Sequence, residues 1–586
     1  MGEIEFQQED EYMCGILGGN IENWDYYAGI NVLKHRGPDA QKVNKYINCT
    51  LAFARLSILD LTMSAMQPME SEDGQTVILF NGEIYGFDIL RDKLMKKYKF
   101  NTTCDTEVIL YAYKEYGDKF IDYIDGMYAI VIYDIKEEVL KIYRDRYGIK
   151  PLYYYYTGHK FAFASELKAF LVAGNKKEQW EVDNTAVYDY LFCGYIPEPK
   201  SLYKNVYRLE PANYLIYNLR EKKIIKKERY WRLHVNSNAH GKKNHQSIIE
   251  DIRYLIAQSV KEQMVADVKV GTYLSGGIDS SIITYEGQRL NKDIAAFSIG
   301  FSVEEYDETK YAKVMAQAHS INHKIRYFNN NDYFTMKGLL YQIYDDPFAD
   351  TSAYPTYYLS KFAKEEVTVV LTGDGGDELF GGYNRYKIFC EKEEKYVSEN
   401  YKLERYVNSI LDSDNPLNAK IKNLVQTKFT TYCKLMGQYG EKAYDEFRQY
   451  LKIDKDYNPQ WYFRKYYVKD LPRITRLRYL DFKTYLPSDI LTKVDRASMA
   501  VSLEARVPLL NRKLVEYVFS LAEDECCSAD NLKAILKDAY RDVIPSQILD
   551  REKKGFAVPE SYFRRIQNNK YIDIWKRDWG GIRNGK

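Results

Sequence analysis

The chain lacks most of the features by which a sequence declares a specialised environment. Its 84 Lys and Arg are balanced by 83 Asp and Glu, so no basic stripe is available for nucleic acid or an anionic membrane. None of the 8 cysteines forms a CxxC, and no histidine cluster accompanies them, which excludes a zinc ribbon and a disulfide framework. The longest apolar runs, such as 367–371, have the length of a strand and cannot span a bilayer. The first residues are acidic and have no apolar core, so they are not a secretory signal. No GxxxxGK[ST] loop, internal repeat or low-complexity block occurs. These absences point to a cytosolic protein, and 586 residues are too many for one hydrophobic core. The 57 tyrosines are scattered without period and carry no functional weight.

What is present divides in two. Residues 14–209 hold short alternating runs, among them Leu51-Ala-Phe-Ala-Arg, Thr76-Val-Ile-Leu-Phe and Tyr128-Ala-Ile-Val-Ile-Tyr, with helical periodicity at 88–97 and 106–116. A mixed sheet-and-helix domain follows. Residues 210–246 are polar and basic and read as a linker. From 247 to 559 the pattern becomes helix, strand (268–274), Gly turn and helix, with further strands at 295–299 and 367–371. That is the alternation of a doubly wound parallel α/β sheet. Charged, Tyr-rich helical spacing at 391–471 reads as a helical insertion for packing and solubility, and 560–586 as a tail.

Of the cysteines only Cys14, in Met13-Cys14-Gly15-Ile16, has a context that suggests chemistry. A thiol attacks as thiolate and needs a base, and a free α-amine titrating at about 7.7–8.0 on the same residue can serve. His35-Arg36-Gly37-Pro38-Asp39, Arg55-Leu56-Ser57-Ile58, Asn81-Gly82-Glu83-Ile84-Tyr85 and Asp105-Thr106-Glu107 follow in order. Arg55 alone is most often a surface ion-pair residue, Asn81-Gly82 alone a hairpin turn, and His35 reads as structural. As an ordered set they resemble the class II glutamine amidotransferases, whose N-terminal nucleophile domain is an αββα sandwich. The resemblance implies that Arg55 to Leu59 (Leu56, Ser57 and Ile58 between), Asn81, Gly82, Glu83 and Asp105 bind glutamine. Arg55 would grip the α-carboxylate, and Asp105, helped by Glu83, the α-ammonium. Asn81 and the Gly82 N–H would serve the oxyanion. Thirteen residues precede Cys14, so the amine is expected to be freed, either because Met13 is the true start or because 1–13 is cleaved as a leader.

The second centre is Ser275-Gly-Gly-Ile-Asp279-Ser280-Ser281 between a strand and a helix, where glycines, hydroxyls and helix N–H groups can face an anion. It resembles the pyrophosphate loop of ATP pyrophosphatases. Thr372-Gly373-Asp374-Gly-Gly-Asp377-Glu-Leu-Phe-Gly-Gly, Lys493-Val-Asp-Arg-Ala-Ser-Met499, Leu503-Glu-Ala-Arg-Val-Pro508 and Lys554-Gly-Phe556 extend the likeness to the glutamine-hydrolysing asparagine synthetases. That resemblance implies an ATP site at Leu274, Ser275, Gly276, Gly277, Asp279, Ser280, Ser281, Ile299, Thr372 and Gly373. It also implies Mg²⁺ on Asp279 and Asp377, and catalytic roles for Asp374 and Lys533. Asn511 stands where relatives carry Asp. The expected enzyme is a carbon–nitrogen ligase: glutamine, ATP and a carboxylate, foremost L-aspartate, give an amide, glutamate, AMP and pyrophosphate. A homodimer fits the resemblance. A sugar acid or peptide acceptor, or a silent regulatory homologue, are the alternatives, and the retained glutaminase residues disfavour a β-lactam synthetase-like activity.

Overall fold

Among the described residues, seventeen strands form three sheets. The computed structural model describes residues 14–551 except 38, 175–177, 236–243, 337, 397–399, 412–415 and 439–440, and also 555, 558, 559 and 562. The expected leader, Lys554, Phe556 and all of the tail but Tyr562 lie outside the described residues.

The N-terminal half is a sandwich of two antiparallel sheets. One contains β1 (Gly15–Gly19), β2 (Ala40–Lys45), β3 (Thr50–Arg55), β8 (Tyr153–Tyr156), β9 (Phe161–Ala164) and β10 (Val206–Arg208), in the order β10-β8-β9-β1-β3-β2. The other contains β4 (Met69–Glu70), β5 (Thr76–Ile84), β6 (Gly126–Asp134), β7 (Val139–Arg144), β11 (Asn213–Asn218) and β12 (Lys223–Arg229), in the order β12-β11-β7-β6-β5-β4. Period-two alternation sorts the side chains. Leu51 and Phe53 of β3 meet Val77, Leu79, Ala129 and Val131 between the sheets. The intervening Ala52 and Ala54 face the helices Tyr26–Asn31 and Lys168–Ala173, whereas Ile130 and Ile132 face the helix Asp105–Tyr116. Each fully buried Phe or Leu here contributes about 1.5–3 kcal/mol. The result is αββα.

The expected linker at 210–246 is corrected by β11 and β12, which extend the second sheet. β12 reads as polar because it is an edge strand with mostly exposed side chains, and its lysines protect an otherwise open edge. The helix His245–Gln263 follows, capped by Asn244, whose side chain accepts from Ser247 N at 2.8 Å.

The C-terminal sheet is wholly parallel. Its strands are β13 (Val270–Tyr273), β14 (Ala295–Phe301), β15 (Asn322–Phe328), β16 (Val369–Leu371) and β17 (Glu504–Arg506), in the order β15-β14-β13-β16-β17. The strand order reverses between β13 and β16, so the loops after these two strands lie side by side at the crevice where open α/β sheets bind ligands. The insertion is helical and packs against the sandwich: Phe447 and Leu451 join the core of the helix Asn184–Cys193, and Tyr457 donates to Asp189 at 2.6 Å.

Buried charges close the seam between the halves. Glu166, just after β9, accepts from Arg36 at 2.9 Å and forms an ion pair with Arg496 at 2.7 Å, with His35 and Lys168 each at 3.1 Å. Arg36 also forks onto Asp495 at 2.9 and 3.2 Å, and Arg496 reaches Asp345. Burial pushes the Glu166 carboxyl up, but Arg496, Lys168 and His35 together outweigh it and hold the group well below its usual range. Removing one partner of such a network leaves buried charge uncompensated, a loss of about 3–5 kcal/mol. Glu166→Gln is therefore expected to lower the melting temperature and to speed proteolysis at the seam, while the exposed pair Lys97–Glu115, broken by Lys97→Ala, changes neither. Equal melting of the two variants would contradict this.

Candidate active sites

Cys14 immediately precedes β1. The antiparallel register that pairs Gly15 with Ala54 carries Cys14 to the level of Arg55. Its thiol lies at the Leu56 backbone, 3.4 Å from the N–H and 3.6 Å from the carbonyl. Burial pushes the thiol up to about 12; the Leu56 N–H and Arg55 lower it, and Glu504 and Glu83 raise it further. Such a thiol is protonated near neutral pH and reacts only with a base at hand.

Arg55 and Glu83 act on it, and Asn81 is tied in beside it through Ser165. Asn81 donates from Nδ2 to Ser165 Oγ at 3.4 Å, and the same hydroxyl accepts from Ile16 N at 3.0 Å, tying β5 to β1 beside the thiol. Gly82 has φ of +149°, and a Cβ there would stand 2.0 Å from the Met127 carbonyl, so only glycine lets β5 lie this close to β6. Asp105 accepts from Ile84 N at 3.0 Å, and burial, with Glu504 adding, pushes it up to about 7.

Two expectations change in detail. The Arg55 fork, expected to be open for a carboxylate, holds the Asp60 and Thr62 carbonyls at 2.5 and 2.6 Å, which folds Leu56–Leu59 around it. Glu83, expected to assist Asp105, stands within its field but also pairs with Arg506 of the other half at 3.5 Å. Leu56 and Ile58 turn away from the loop into an apolar cluster with Val369 and Met499, which Cys14 and Leu59 edge. Ser57 N donates to Asp39 at 2.8 Å. Sequence reasoning missed Ser165 and Glu166; their only signal is their place directly after the Phe161-Ala-Phe-Ala strand.

At the second centre the turn after β13 is tied by hydroxyls. Ser275 Oγ lies 3.0 Å from Ser280 Oγ and accepts from Gly277 N at 3.3 Å, with Gly276 completing the turn. Ser281, expected to face phosphate, is instead fully buried at 0% exposure, because the helix Ile278–Leu290 turns it inward. The buried Leu274 carbonyl accepts from Ser298, and Ile299 lies in the core alongside β13. Thr372 N donates to the Arg506 carbonyl at 2.9 Å, and Gly373 abuts Ser280 N.

Asp279 and Asp377 come together around Lys533, whose Nζ contacts Asp279 and lies 2.6 Å from Asp377. Gly376 and Gly382 make the space, since a Cβ on either would stand 2.3 or 2.0 Å from Oδ1 of Asp279 or Asp377. Burial lowers the Lys533 ammonium, but the two carboxylates outweigh that and raise it. Asp279 Oδ1 is buried without a hydrogen-bond partner, which fits a further cation. Among the described residues no three His, Cys, Asp or Glu groups form a metal cage, so a divalent ion here would need phosphate oxygens to complete its shell. Asp374 is the next acid on the loop, its N–H donating to Thr372 Oγ1 at 3.4 Å and its carboxylate within the fields of Lys493, Asp377 and Asp279.

A thiol site in an αββα sandwich and a glycine-hydroxyl loop at a parallel-sheet switch point thus share one chain. Residues 13–231 match the family described as glutamine amidotransferase domain, and residues 251–573 the family described as asparagine synthase. Asparagine synthetase [glutamine-hydrolyzing] 1 of Bacillus subtilis is 32% identical, over 92% of this chain and 85% of its own length. The chain belongs to the glutamine-hydrolysing asparagine synthetase family. A putative member of that family from Methanocaldococcus jannaschii is 35% identical over 83% of this chain and 98% of its own. The amidase chyE of Penicillium rubens is 26% identical over 91% and 84%. Among the described residues no helix is long and apolar enough to cross a membrane.

The Lys533 arrangement makes a testable statement for this family member. Lys533→Met leaves Asp279 and Asp377 facing each other without their cation, a loss of about 3 kcal/mol or more at pH 8. The deficit is expected to shrink at pH 5, because carboxylates deprived of a cation take up a proton more readily. Calorimetric melting of both proteins at the two pH values reads it, and a deficit that grows on acidification contradicts the assignment.

Proposed function

We propose that the chain transfers the amide nitrogen of glutamine to the side-chain carboxylate of L-aspartate, converting ATP to AMP and pyrophosphate. One observation carries the reading. The Cys14 thiol edges an apolar cluster, Leu56, Ile58, Met499 and Val369, whose last member begins the strand that ends in the nucleotide loop Thr372–Gly373. Ammonia in water is largely protonated and no longer a nucleophile, whereas along a dry apolar seam it stays neutral.

In the glutaminase half the thiol adds to the carboxamide, the α-amine of Cys14 takes its proton and passes it to the departing ammonia, and water then releases glutamate from the thioester. Asn81 and Gly82 serve the oxyanion, and losing the Asn81 donor costs about 10²–10³ in rate. Asp105 receives the ammonium of glutamine. Because the thiol is held up by burial, an amidated Cys14 has no base; activity requires its amine to be free. In the synthetase half the aspartate side-chain carboxylate attacks the α-phosphorus of ATP and pyrophosphate leaves. Ammonia then displaces AMP from the acyl-adenylate. Lys533 lies where a cation neutralises the departing pyrophosphate, and Asp374 borders the reacting groups. Asp279 and Asp377 would hold Mg²⁺, which would add further neutralisation of the phosphates. None of the eight cysteines forms a disulfide, which suits a reducing cytosol.

The test is mass spectrometry of the product made from ATP, glutamine and aspartate, run alongside Cys14→Ala. The expected results are asparagine from the native enzyme, and from the variant no glutamine-dependent synthesis but near-native ammonia-dependent synthesis. Loss of both activities in a folded variant, or full glutaminase activity in protein whose intact mass retains residues 1–13, overturns the scheme.

A further inference from the structure

Two of the eight cysteines are neighbours, in a setting that the proposed reaction does not use. Cys526 ends the helix Glu523–Cys526, and Cys527 leaves it as extended backbone. Both side chains are buried, at 0% and 1% exposure. Arg478 is buried with them. Its guanidinium donates to the Leu379 carbonyl and lies 4.9 Å from the Phe519 ring centre, but its Nε has no hydrogen-bond partner among the described residues. Glu523, the carboxylate that acts on Arg478, is spent on Thr475 N at 2.7 Å, and the two thiols act on the cation more strongly.

A buried cation that lacks a carboxylate favours a thiolate beside it. A hydrogen bond from Cys527, with Arg478 adding, brings the Cys526 thiol down against its burial, while the same bond and burial push Cys527 up. One sulfur is thus nucleophilic and its neighbour keeps a proton, as in an attacking and a resolving thiol. Packing joins the pair to the synthetase site. A Cβ on Gly381 would stand 2.6 Å from Cys527 Sγ and 3.4 Å from Arg478 Cδ; on Gly382 it would stand 2.0 Å from Asp377 Oδ1 and 2.1 Å from Lys533 Cε. Cys527 also runs into the largely exposed turn 528–531, which Ser528 N closes on the Asn531 carbonyl at 3.1 Å and Asn531 N on Ser528 Oγ at 3.0 Å. Local opening of that turn gives a small oxidant a way to the sulfurs.

We infer that Cys526 and Cys527 are a redox site for hydroperoxides, and that its closure to a disulfide between adjacent residues disables the synthetase half. The Cys526 sulfur attacks a peroxide oxygen, the O–O bond breaks, and the departing oxygen leaves as water or alcohol, giving a sulfenic acid. Cys527 then displaces that hydroxyl as water and forms the S–S bond. With hydrogen peroxide, two thiols give one disulfide and two waters. Closure draws Cys527 from beneath Gly381, which loosens the glycine turn that Asp377 and Lys533 pack against. A ring through a single peptide bond is strained, so thiol reductants reopen it readily.

This site lies outside the function proposed above; only its coupling to catalysis rests on that reading. The native enzyme is treated with hydrogen peroxide, and the peptide bearing residues 526 and 527 is weighed after digestion. Aspartate-dependent ATP–pyrophosphate exchange, run without a nitrogen donor and so without Cys14, is followed in parallel. The expected result is loss of two hydrogens from that peptide while exchange falls about a hundredfold, as when a catalytic group moves by about 1 Å. Dithiothreitol restores both. Cys526→Ser exchanges at a near-native rate and keeps that rate through the treatment. A peptide that remains a dithiol while exchange falls, or an equal fall in Cys526→Ser, overturns the site; a disulfide that leaves exchange unchanged overturns the coupling. Should Cys526→Ser not fold, phenylarsine oxide, which bridges neighbouring thiols, is expected to add its mass to this peptide and stop exchange, and its failure to do so overturns the site. Absence of exchange in the untreated enzyme overturns the proposed function, and the mass of the peptide then decides the redox site by itself.

Discussion

Glu166 is the constraint on which the rest of the structure depends. It is a fully buried carboxylate whose partners come from three places: His35 and Arg36 before β2, Lys168 on the following helix, and Arg496 in the synthetase half. None of these charges is cheap to bury, and the attraction offsets desolvation only where the geometry is good. The network therefore contributes orientation more than stability. It satisfies its members in one docking of the two halves, and a rotation at the seam would strand several charges at once. Everything that follows along that seam, including the apolar cluster beneath Cys14, inherits its position from this docking.

Both reaction centres share an electrostatic design that the fixed seam makes possible. Around Asp105, three carboxylates (Asp105, Glu83 and Glu504) share the two cations Arg506 and Lys150, and burial, with Glu504 adding, pushes Asp105 up to about 7. Around Lys493, three carboxylates face one ammonium. A buried surplus of acid is costly in the empty protein and is relieved by a cation. Lys533 between Asp279 and Asp377 shows the complementary case, in which the protein supplies the cation itself.

The motifs were legible because each depends on a local string. A Gly-Gly turn after an apolar strand, or Asn-Gly within one, constrains the backbone over a few residues, so the parallel sheet and the sandwich could be read from alternation and punctuation. What could not be read depends on partners far apart in sequence. Lys223–Arg229 is polar because it is an edge strand, and no window of sequence separates that from a linker. Glu166 and Arg496 lie 330 residues apart, and nothing near either one announces the other. Ser281 sits in a phosphate-loop string yet turns inward, because helical geometry points successive residues in different directions. Arg55 has the expected identity and place, but its guanidinium is spent on its own loop.

Arg506 indicates why the two activities share a chain rather than two subunits. Its carbonyl accepts from Thr372 in the nucleotide loop, while its guanidinium grips Glu504, the carbonyls of Gln263 and Val265, and, at 3.5 Å, Glu83 two residues beyond Asn81. Glu504 in turn raises the Cys14 thiol from across the seam. The Cys14 thiol of one half thus feels a carboxylate of the other, held by a residue whose backbone pairs with Thr372. A free glutaminase domain would lose Glu504 and Arg506 together. It would leave Lys150 to offset Glu83 and Asp105 without Arg506, and would open the apolar face of Leu56 and Ile58 to water. The seam is therefore an integral wall of the first active site, which is a stronger reason for fusion than proximity of the two reactions.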